Sequence, residues 1–262
     1  MLAAERQAVI YDLVRRGDAV KTSELKARLG ASEMTIRRDL QELESRNLLR
    51  RVHGGAVPVG EIIDEHLFVV QSRVEVARKR PIAQLAAEIV CDGMSVAVDG
   101  SSTALEFARL LGNFKGITLV TNNLTVLWEF RGAAVNLISL GGSVAIDGNS
   151  LDGAFAVENA RQLHVDAFFF SCAGFGAEGV TNASPVASEV RRTLLSNAKQ
   201  NILLADSTKY GKKGFITLFD WSDVDILITD SGLTEDARDA VAQAAPQLDI
   251  RIAQLVNSGP AK

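Results

Sequence analysis

The chain has 262 residues, 47% of them apolar and 23% charged, with a net charge of −4. That balance fits one large or two ordinary globular domains and excludes a disordered chain. No apolar run approaches the roughly 20 residues that cross a bilayer, and MLAAERQAVIYDLVRRG carries charges within its apolar pattern. These features predict a cytoplasmic protein with no signal peptide and no membrane partner.

The charge is unevenly spread. Residues 1–57 hold eleven Lys/Arg against eight Asp/Glu, giving +3, and the remaining residues carry −7. The sign favours nucleic acid as the partner of the N-terminal segment. Cys91 and Cys172 both lie in apolar stretches and are expected to be reduced, buried thiols. His53, His66 and His164 stand far apart with no ligand spacing, so no metal and no cofactor is expected.

In chain order, Val9, Ile10, Leu13 and Val14 recur at helical spacing and Gly17 stops the run. A second helix is expected from a Thr22 or Ser23 cap, through Leu25 and Leu29, to Gly30. A third begins at Ser32 and continues to about Arg46. Two short β-prone pieces then flank His53-Gly54-Gly55, a hairpin signal. The pattern lapses over Pro58–Leu67. From about Arg78 strands and helices alternate. The strands are expected at Ser95–Val98, Ile117–Val120, Val135–Leu140, Val165–Ser171, Asn201–Ala205 and Asp225–Thr229. The helices are expected at Ile82–Val90, Thr103–Leu111, Leu124–Phe130, Val186–Ala198 and Glu235–Ala245. The prediction is an α/β chain: a winged helix-turn-helix over 1–57, a linker over 58–76, and a mainly parallel α/β domain over 77–262.

On the third helix Ile36, Leu40 and Leu43 make the apolar stripe. A 100° step puts Met34, Arg38 and Gln41 opposite, with Arg37 on the flank. Arg and Gln are the side chains that pair bidentately with guanine and adenine edges in the major groove. Ser32 is expected to cap the helix and offer backbone N–H groups near a phosphate. Asp39, beside the core stripe, reads as a structural pairing residue. Arg50, Arg51 and His53 make the hairpin a basic wing suited to phosphates or a minor groove.

The run from Ser32 to Leu40, SEMTIRRDL, followed by RVHGGA from Arg51 to Ala56, resembles the DeoR/GlpR family of bacterial repressors. The resemblance implies that Thr35, Arg37 and Arg38 contact operator DNA and that the wing assists.

In the second domain, Asp99-Gly100-Ser101-Ser102-Thr103 links a strand directly to a helix. Small residues, hydroxyls and a helix N-terminus together suit an anion. Thr121-Asn122-Asn123 and Gly141-Gly142-Ser143 follow later strands, and in an open parallel sheet such loops gather at one ligand-binding edge. The segments DGSST, VTNN, LGG and LLADSTKYG resemble the DeoR-type sensor domain, which is similar to ribose-5-phosphate isomerase. The resemblance implies a sugar-phosphate effector held by the Asp99–Thr103 loop, with Ser101 where the family usually has Gly, and by Lys209 near the sugar. Lys79 also matches a family position, although a solvent-exposed lysine would explain it equally.

Gly174-Phe175-Gly176-Ala177-Glu178-Gly179 has the spacing of a dinucleotide fingerprint, but no helix opens within it. It is read as a loop near the effector, with Gly174 as a contact. A rival reading, a sugar-phosphate isomerase or deaminase with an accessory DNA-binding domain, would need an acid/base set, for which Asp99, Glu178 and Lys209 are candidates. The expected function is a repressor, not an enzyme, whose operator affinity is set by a phosphorylated sugar or related metabolite. Two-fold operators call for a homodimer or homotetramer.

Overall fold

The computed structural model describes residues 3–15, 20–46, 48–52, 55–57, 76–145 and 148–255. Gly17, His53, Gly54 and nearly all of the expected linker lie outside the described residues. The chain divides into two compact units, Met1–Val74 and Glu75–Lys262.

The first unit holds α1 (Ala3–Arg15), β1 (Val20–Lys21), α2 (Thr22–Leu29), α3 (Glu33–Ser45), β2 (Arg50–Val52) and β3 (Gly55–Val57). Ile10, Tyr11 and Val14 of α1 meet Leu25, Ile36, Leu40, Leu43, Leu48, Leu49 and Ala56 in one core. Val9, expected in the apolar stripe of α1, is 37% exposed. Its place toward the core falls to Gln7, whose amide donates to Asp39 and Glu42. Helix α2 is capped one residue earlier than expected, by Lys21, and Thr22 is buried within its first turn. Gly30 ends α2 at φ 61°, where a Cβ would be strained.

Gly55 belongs to β3 and not to the hairpin turn, pairing with Val52 across β2. The other edge of β3 pairs with β1, a strand the sequence pattern did not reveal, in the order β1-β3-β2. A Cβ on Gly55 would stand 2.2 Å from the Val20 carbonyl oxygen, so only glycine lets β1 close on β3.

The second unit opens with α4 (Val76–Ala87), which starts before Pro81 and not after it as the sequence suggested. Proline interrupts the helical hydrogen-bond ladder. Here the first turn is held from outside, where Arg78 Nη1 donates to Asp230 at 2.7 Å and to Ser207 at 3.1 Å. Strands β4 (Ser95–Val98), β5 (Thr118–Thr121), β6 (Asn136–Ser139), β9 (Ala167–Phe170), β12 (Asn201–Leu204), β14 (Ile226–Asp230) and β15 (Asp249–Ala253) form a parallel sheet in the order β15-β14-β12-β9-β4-β5-β6. Helices α5 (Ser102–Ala108), α6 (Leu124–Phe130), α7 (Ala154–Arg161), α8 (Pro185–Ser196) and α9 (Glu235–Ala244) accompany it. Phe169 of β9 stacks on Phe107 of α5, with centroids 3.9 Å apart. Its neighbours Phe168 and Phe170 point the other way, into the cluster with Val190 and Leu194 of α8. Alternate phenylalanines thus fill both faces of one central strand, as a sheet covered on two sides requires.

Strands β4, β5 and β6 run outward one way, and β9 returns to pair with β4 before β12, β14 and β15 run the other way. The β4/β9 boundary is therefore the topological switch point, where open α/β sheets take ligands.

Beyond the six strands expected, β7 (Ser143–Val144) pairs with β8 (Leu151–Asp152), and β10 (Gly174–Gly176), β11 (Gly179–Asn182) and β13 (Ile216–Phe219) form a small antiparallel sheet. The Gly174–Gly179 string is thus a β-hairpin, not a loop. Cys172 is buried, but Cys91 is exposed, contrary to expectation, because it sits past the end of α4 in a turn. No helix among the described residues is long and apolar enough to cross a membrane.

Candidate nucleic-acid interface and effector site

Helix α3 begins with the expected cap. Ser32 Oγ accepts from the Thr35 backbone N–H at 3.2 Å and lies 2.8 Å from the Thr35 hydroxyl. The cap thus uses the Thr35 N–H and leaves Thr35 half-buried. Met34 is 82% exposed, and Arg37, Arg38 and Gln41 are exposed with it. Arg37 pairs with Glu33 one turn earlier at 2.8 Å, and both side chains are more than half exposed. A pair of that kind contributes little, so Arg37 is easily exchanged to another anion.

The opposite side of α3 is clamped. Asp39 is buried and accepts from the Arg6 guanidinium at 2.5 and 3.2 Å and from the Gln7 amide at 3.2 Å. The hydrogen bond to the Asp39 carboxylate holds the Arg6 guanidinium above its ordinary pKa. Asp39 is the structural pairing residue that its position beside the stripe implied.

In the wing, the Arg51 backbone N–H donates to Glu44 at 2.7 Å, which ties β2 to the end of α3. The Arg51 side chain is exposed, 3.8 Å from the same carboxylate. Arg50 lies on β2, and His53 falls outside the described residues.

In the second unit the loops after β4, β9 and β12 meet at the switch point. Asp99 is 1% exposed and fully engaged. Its Oδ1 accepts from the Ser101 N–H and hydroxyl, and its Oδ2 from the Ser171 N–H at 3.2 Å and Arg191 Nε at 2.7 Å. Asp99, expected from the sequence to contact the effector, binds the β4 and β9 loops to α8. Ser101 caps α5 and accepts from Ala104 N. Helix α5 has only seven residues, so the macrodipole expected there is weak.

The positive charge comes from lysines instead. Lys79 of α4 is 4% exposed, which overturns the solvent-exposed alternative, and its Nζ donates to Ser102 Oγ at 3.0 Å. Lys209 Nζ donates to Ser171 Oγ at 2.8 Å. One ammonium thus stands beside the β4 loop and the other beside the β9 loop. Asp206 lies among them: burial pushes its carboxyl up, but Lys209, the Thr208 hydroxyl, Lys79 and Lys212 outweigh that and hold it below its ordinary value. Burial pushes the Cys172 thiol up to about 11, although Lys209 and Arg191 pull it the other way. It therefore remains a neutral thiol at pH 7.

The remaining candidates divide. Gly100 approaches Ser150 so closely that a Cβ would stand 2.9 Å from that side chain. Thr103, Asn122 and Asn123 are buried, and each keeps a polar atom without a partner among the described residues: Thr103 Oγ1, Asn122 Oδ1 and Asn123 Nδ2. Thr121 is occupied, donating to the Val98 carbonyl and accepting from Asn123 N. Gly141 and Gly142, at φ 64° and 114°, form the turn into β7, where a Cβ on Gly142 would stand 2.5 Å from the Asp152 carbonyl oxygen. Gly174 is pressed against the Lys212 carbonyl, with a Cβ 2.0 Å away. These last three residues serve backbone fit. Glu178 is exposed in the hairpin turn and paired with Lys213 at 2.7 Å, so the three acid/base candidates do not share one network. Sequence reasoning missed Arg191 and passed over Asn149, Ser150 and Asp152. Nothing in their local pattern marks them as parts of this edge.

Two family models match the chain, the DeoR-like helix-turn-helix domain over residues 6–60 and the DeoR C terminal sensor domain over residues 74–231. The HTH-type transcriptional regulator YulB of Bacillus subtilis is 34% identical, across 89% of this chain and 91% of its own length. The transcriptional repressor AccR of Agrobacterium fabrum is 31% identical over 87% and 90%, and the transcriptional repressor GlcR of Bacillus subtilis 32% over 88% and 89%. Ribose 5-phosphate isomerase A of Methanocaldococcus jannaschii superposes with a TM-score of 0.36 at 18% identity, covering 50% of this chain and only about half, 53%, of the isomerase. A likeness that distant transfers neither substrate nor activity. With both halves matched and relatives alike along nearly their full length, the chain belongs to the DeoR family of helix-turn-helix transcriptional regulators.

Proposed function

We propose that this chain is a repressor of a carbohydrate-metabolism operon whose hold on operator DNA is set by a phosphorylated sugar or related metabolite. The DNA half rests on α3. Its clamped side faces Arg6 and Gln7, and its outer side offers Met34, Arg37, Arg38 and Gln41 with the wing alongside. Those side chains suit base edges in the major groove, Ser32 and Thr35 suit a flanking phosphate, and Arg50, Arg51 and His53 suit the backbone beyond it.

The observation that carries the effector half is the buried Lys79 brought to Ser102 at the switch point, with Lys209 held at Ser171 beside it. Two ammoniums among serine hydroxyls are the chemistry of a phosphate site. Ser102 and Lys209 are direct contacts in this reading, and Asp99 and Ser101 act by shaping the loop. The chain works in the cytoplasm as a homodimer or homotetramer, since a two-fold operator takes paired reading heads. Control requires the effector to prefer one arrangement of the assembly over another.

The test is a fluorescence-anisotropy titration with DNA from upstream of the regulated genes, over a salt series, with and without sugar phosphates. Sequence-preferring binding that weakens steeply with salt and shifts with a phosphorylated sugar is expected. Binding indifferent to sequence would overturn the DNA half, and indifference to every phosphorylated sugar would overturn the effector half.

A further inference from the structure

Of the large apolar side chains among the described residues, Met34 is the most open to water, at 82%. It stands in the first turn of α3, beside the Ser32 cap. The core takes nothing from it, because Ile36, Leu40 and Leu43 supply the buried stripe of that helix. A single exposed apolar residue needs no explanation by itself. Its neighbours on the helix give it one.

The 100° step sets Met34, Arg38 and Gln41 on one ridge of α3, and all three are exposed. The acids beside this ridge are engaged elsewhere. Glu33 pairs with Arg37 at 2.8 Å, and Glu42 accepts from the Gln7 amide at 3.0 Å and from Arg46. The ridge therefore presents an apolar, a cationic and an amide group in a row. In a major groove these suit three different features: the 5-methyl group of thymine, the N7/O6 edge of guanine and the N6/N7 edge of adenine. Side chains on a helix lean toward its N-terminus, so Met34 leads the ridge at the end that recognition helices present to base edges. Its thioether arm is flexible and polarisable, which fits it to an apolar contact of uncertain shape. Four residues rise about 6 Å along a helix, and one base step rises about 3.4 Å. Met34 and Arg38 therefore address base pairs no more than about two steps apart.

We propose that Met34 is a specificity-determining residue that reads the 5-methyl group of a thymine, within about two base pairs of the one read by Arg38. This inference rests on the DNA-reading role proposed above for α3. Cytosine carries only hydrogen at that carbon, so the contact separates thymine from the other pyrimidine. In the free protein the Met34 side chain and the thymine methyl each face water, and the complex removes both surfaces from it. Burying one methyl is worth roughly fourfold in affinity. The contact neutralises no phosphate, so it adds sequence preference without adding to the salt dependence of binding.

The experiment is fluorescence anisotropy of the full chain with an operator duplex in which each thymine in turn is replaced by deoxyuridine. That change removes the methyl group and keeps every hydrogen-bonding group of the base. At one thymine in each half-site the wild type should lose about fourfold, whereas M34A should bind the two duplexes equally. The slope of affinity against salt should be the same in M34A and the wild type. The thymine should fall within about two base pairs of the position where R38A relaxes base preference. A melting curve reports folding, and M34Q gives the same comparison should M34A fail to fold. A uracil penalty as large in M34A as in the wild type would assign the effect to DNA shape and overturn the inference. Tolerance of uracil at every thymine by the wild type would overturn it too, as would a Met34-dependent thymine farther from the Arg38 position. In these cases sequence-preferring binding still stands. Binding indifferent to sequence would overturn the reading role of α3 and this inference with it.

Discussion

Arg191 Nε meets Asp99 Oδ2 at 2.7 Å across 92 residues of chain, with both side chains buried. The remaining oxygen of Asp99 is taken by the Ser101 N–H and hydroxyl, so one carboxylate fixes the β4 loop, the β9 loop and α8 together. Breaking such a buried pair leaves an uncompensated charge, at a cost of about 3–5 kcal/mol. Asp99→Ala should therefore lower the urea midpoint of the second unit markedly. An unchanged midpoint would show that the pair is not structurally required.

Arg38 and Asp39 are chain neighbours with opposite consequences. Arg38→Ala removes an exposed cation that the proposed function assigns to the groove, and should weaken operator binding by about 1–3 kcal/mol, with the circular dichroism spectrum and melting curve unaltered. Asp39→Ala strips the buried partner from Arg6 and should destabilise the first unit by about 3 kcal/mol. Equal losses of stability in the two variants would contradict the assignment of faces on α3.

Gly55→Val should abolish operator binding while leaving effector-induced thermal stabilisation in place. The added Cβ would lie 2.2 Å from the Val20 carbonyl oxygen, so β1 and β3 cannot pair as they do. Retained operator affinity in this variant would mean that the small sheet adapts at little cost.

Acid should weaken the second unit through Asp166, at the sheet edge opposite the effector loops. Lys199 donates to it at 2.7 Å, and the Ser95 N–H and hydroxyl at 2.8 and 2.7 Å, which hold its carboxyl well below the ordinary value of about 3.9. A depressed folded-state pKa adds stability above the unfolded value and loses it as pH falls toward the folded one. The stability gap between wild type and Asp166→Asn should be full at pH 6 and shrink steadily below about pH 4. Urea titrations at several pH values measure it, and a constant gap would rule out this linkage.

What the sequence disclosed depended on how local each cause is. The exposed face of α3 was legible because Ile36, Leu40 and Leu43 fix the helix's rotation within two turns of chain. The parallel strands were legible because a sheet covered on both sides demands runs such as Ala167–Phe170. Two-residue β1 carries no pattern of its own and exists only because Gly55 admits it. The Gly174–Gly179 string has the spacing of a loop motif, yet its alternating glycines let the backbone of β10 and β11 pack closely against Lys212 and Phe219. Lys79 matched a family position but solvent exposure explained it equally, and its burial shows only in the fold, where it meets Ser102, 23 residues further on. Lys209 and Asn122 were legible through their motifs, whereas the contacts of Lys79 with Ser102 and of Arg191 with Asp99 join segments that meet only in the folded sheet.

The clasp of Arg6 and Gln7 on Asp39 has a consequence for how such regulators diversify. It fixes the rotation of α3 from inside, while Met34, Arg37, Arg38 and Gln41 stand on the outer side without supporting the core. If α3 reads DNA as proposed, substitutions at those four positions change the letters the helix can read and leave the scaffold's stability nearly untouched. On that reading a lineage retargets the protein to new genes one residue at a time, with every intermediate still folded.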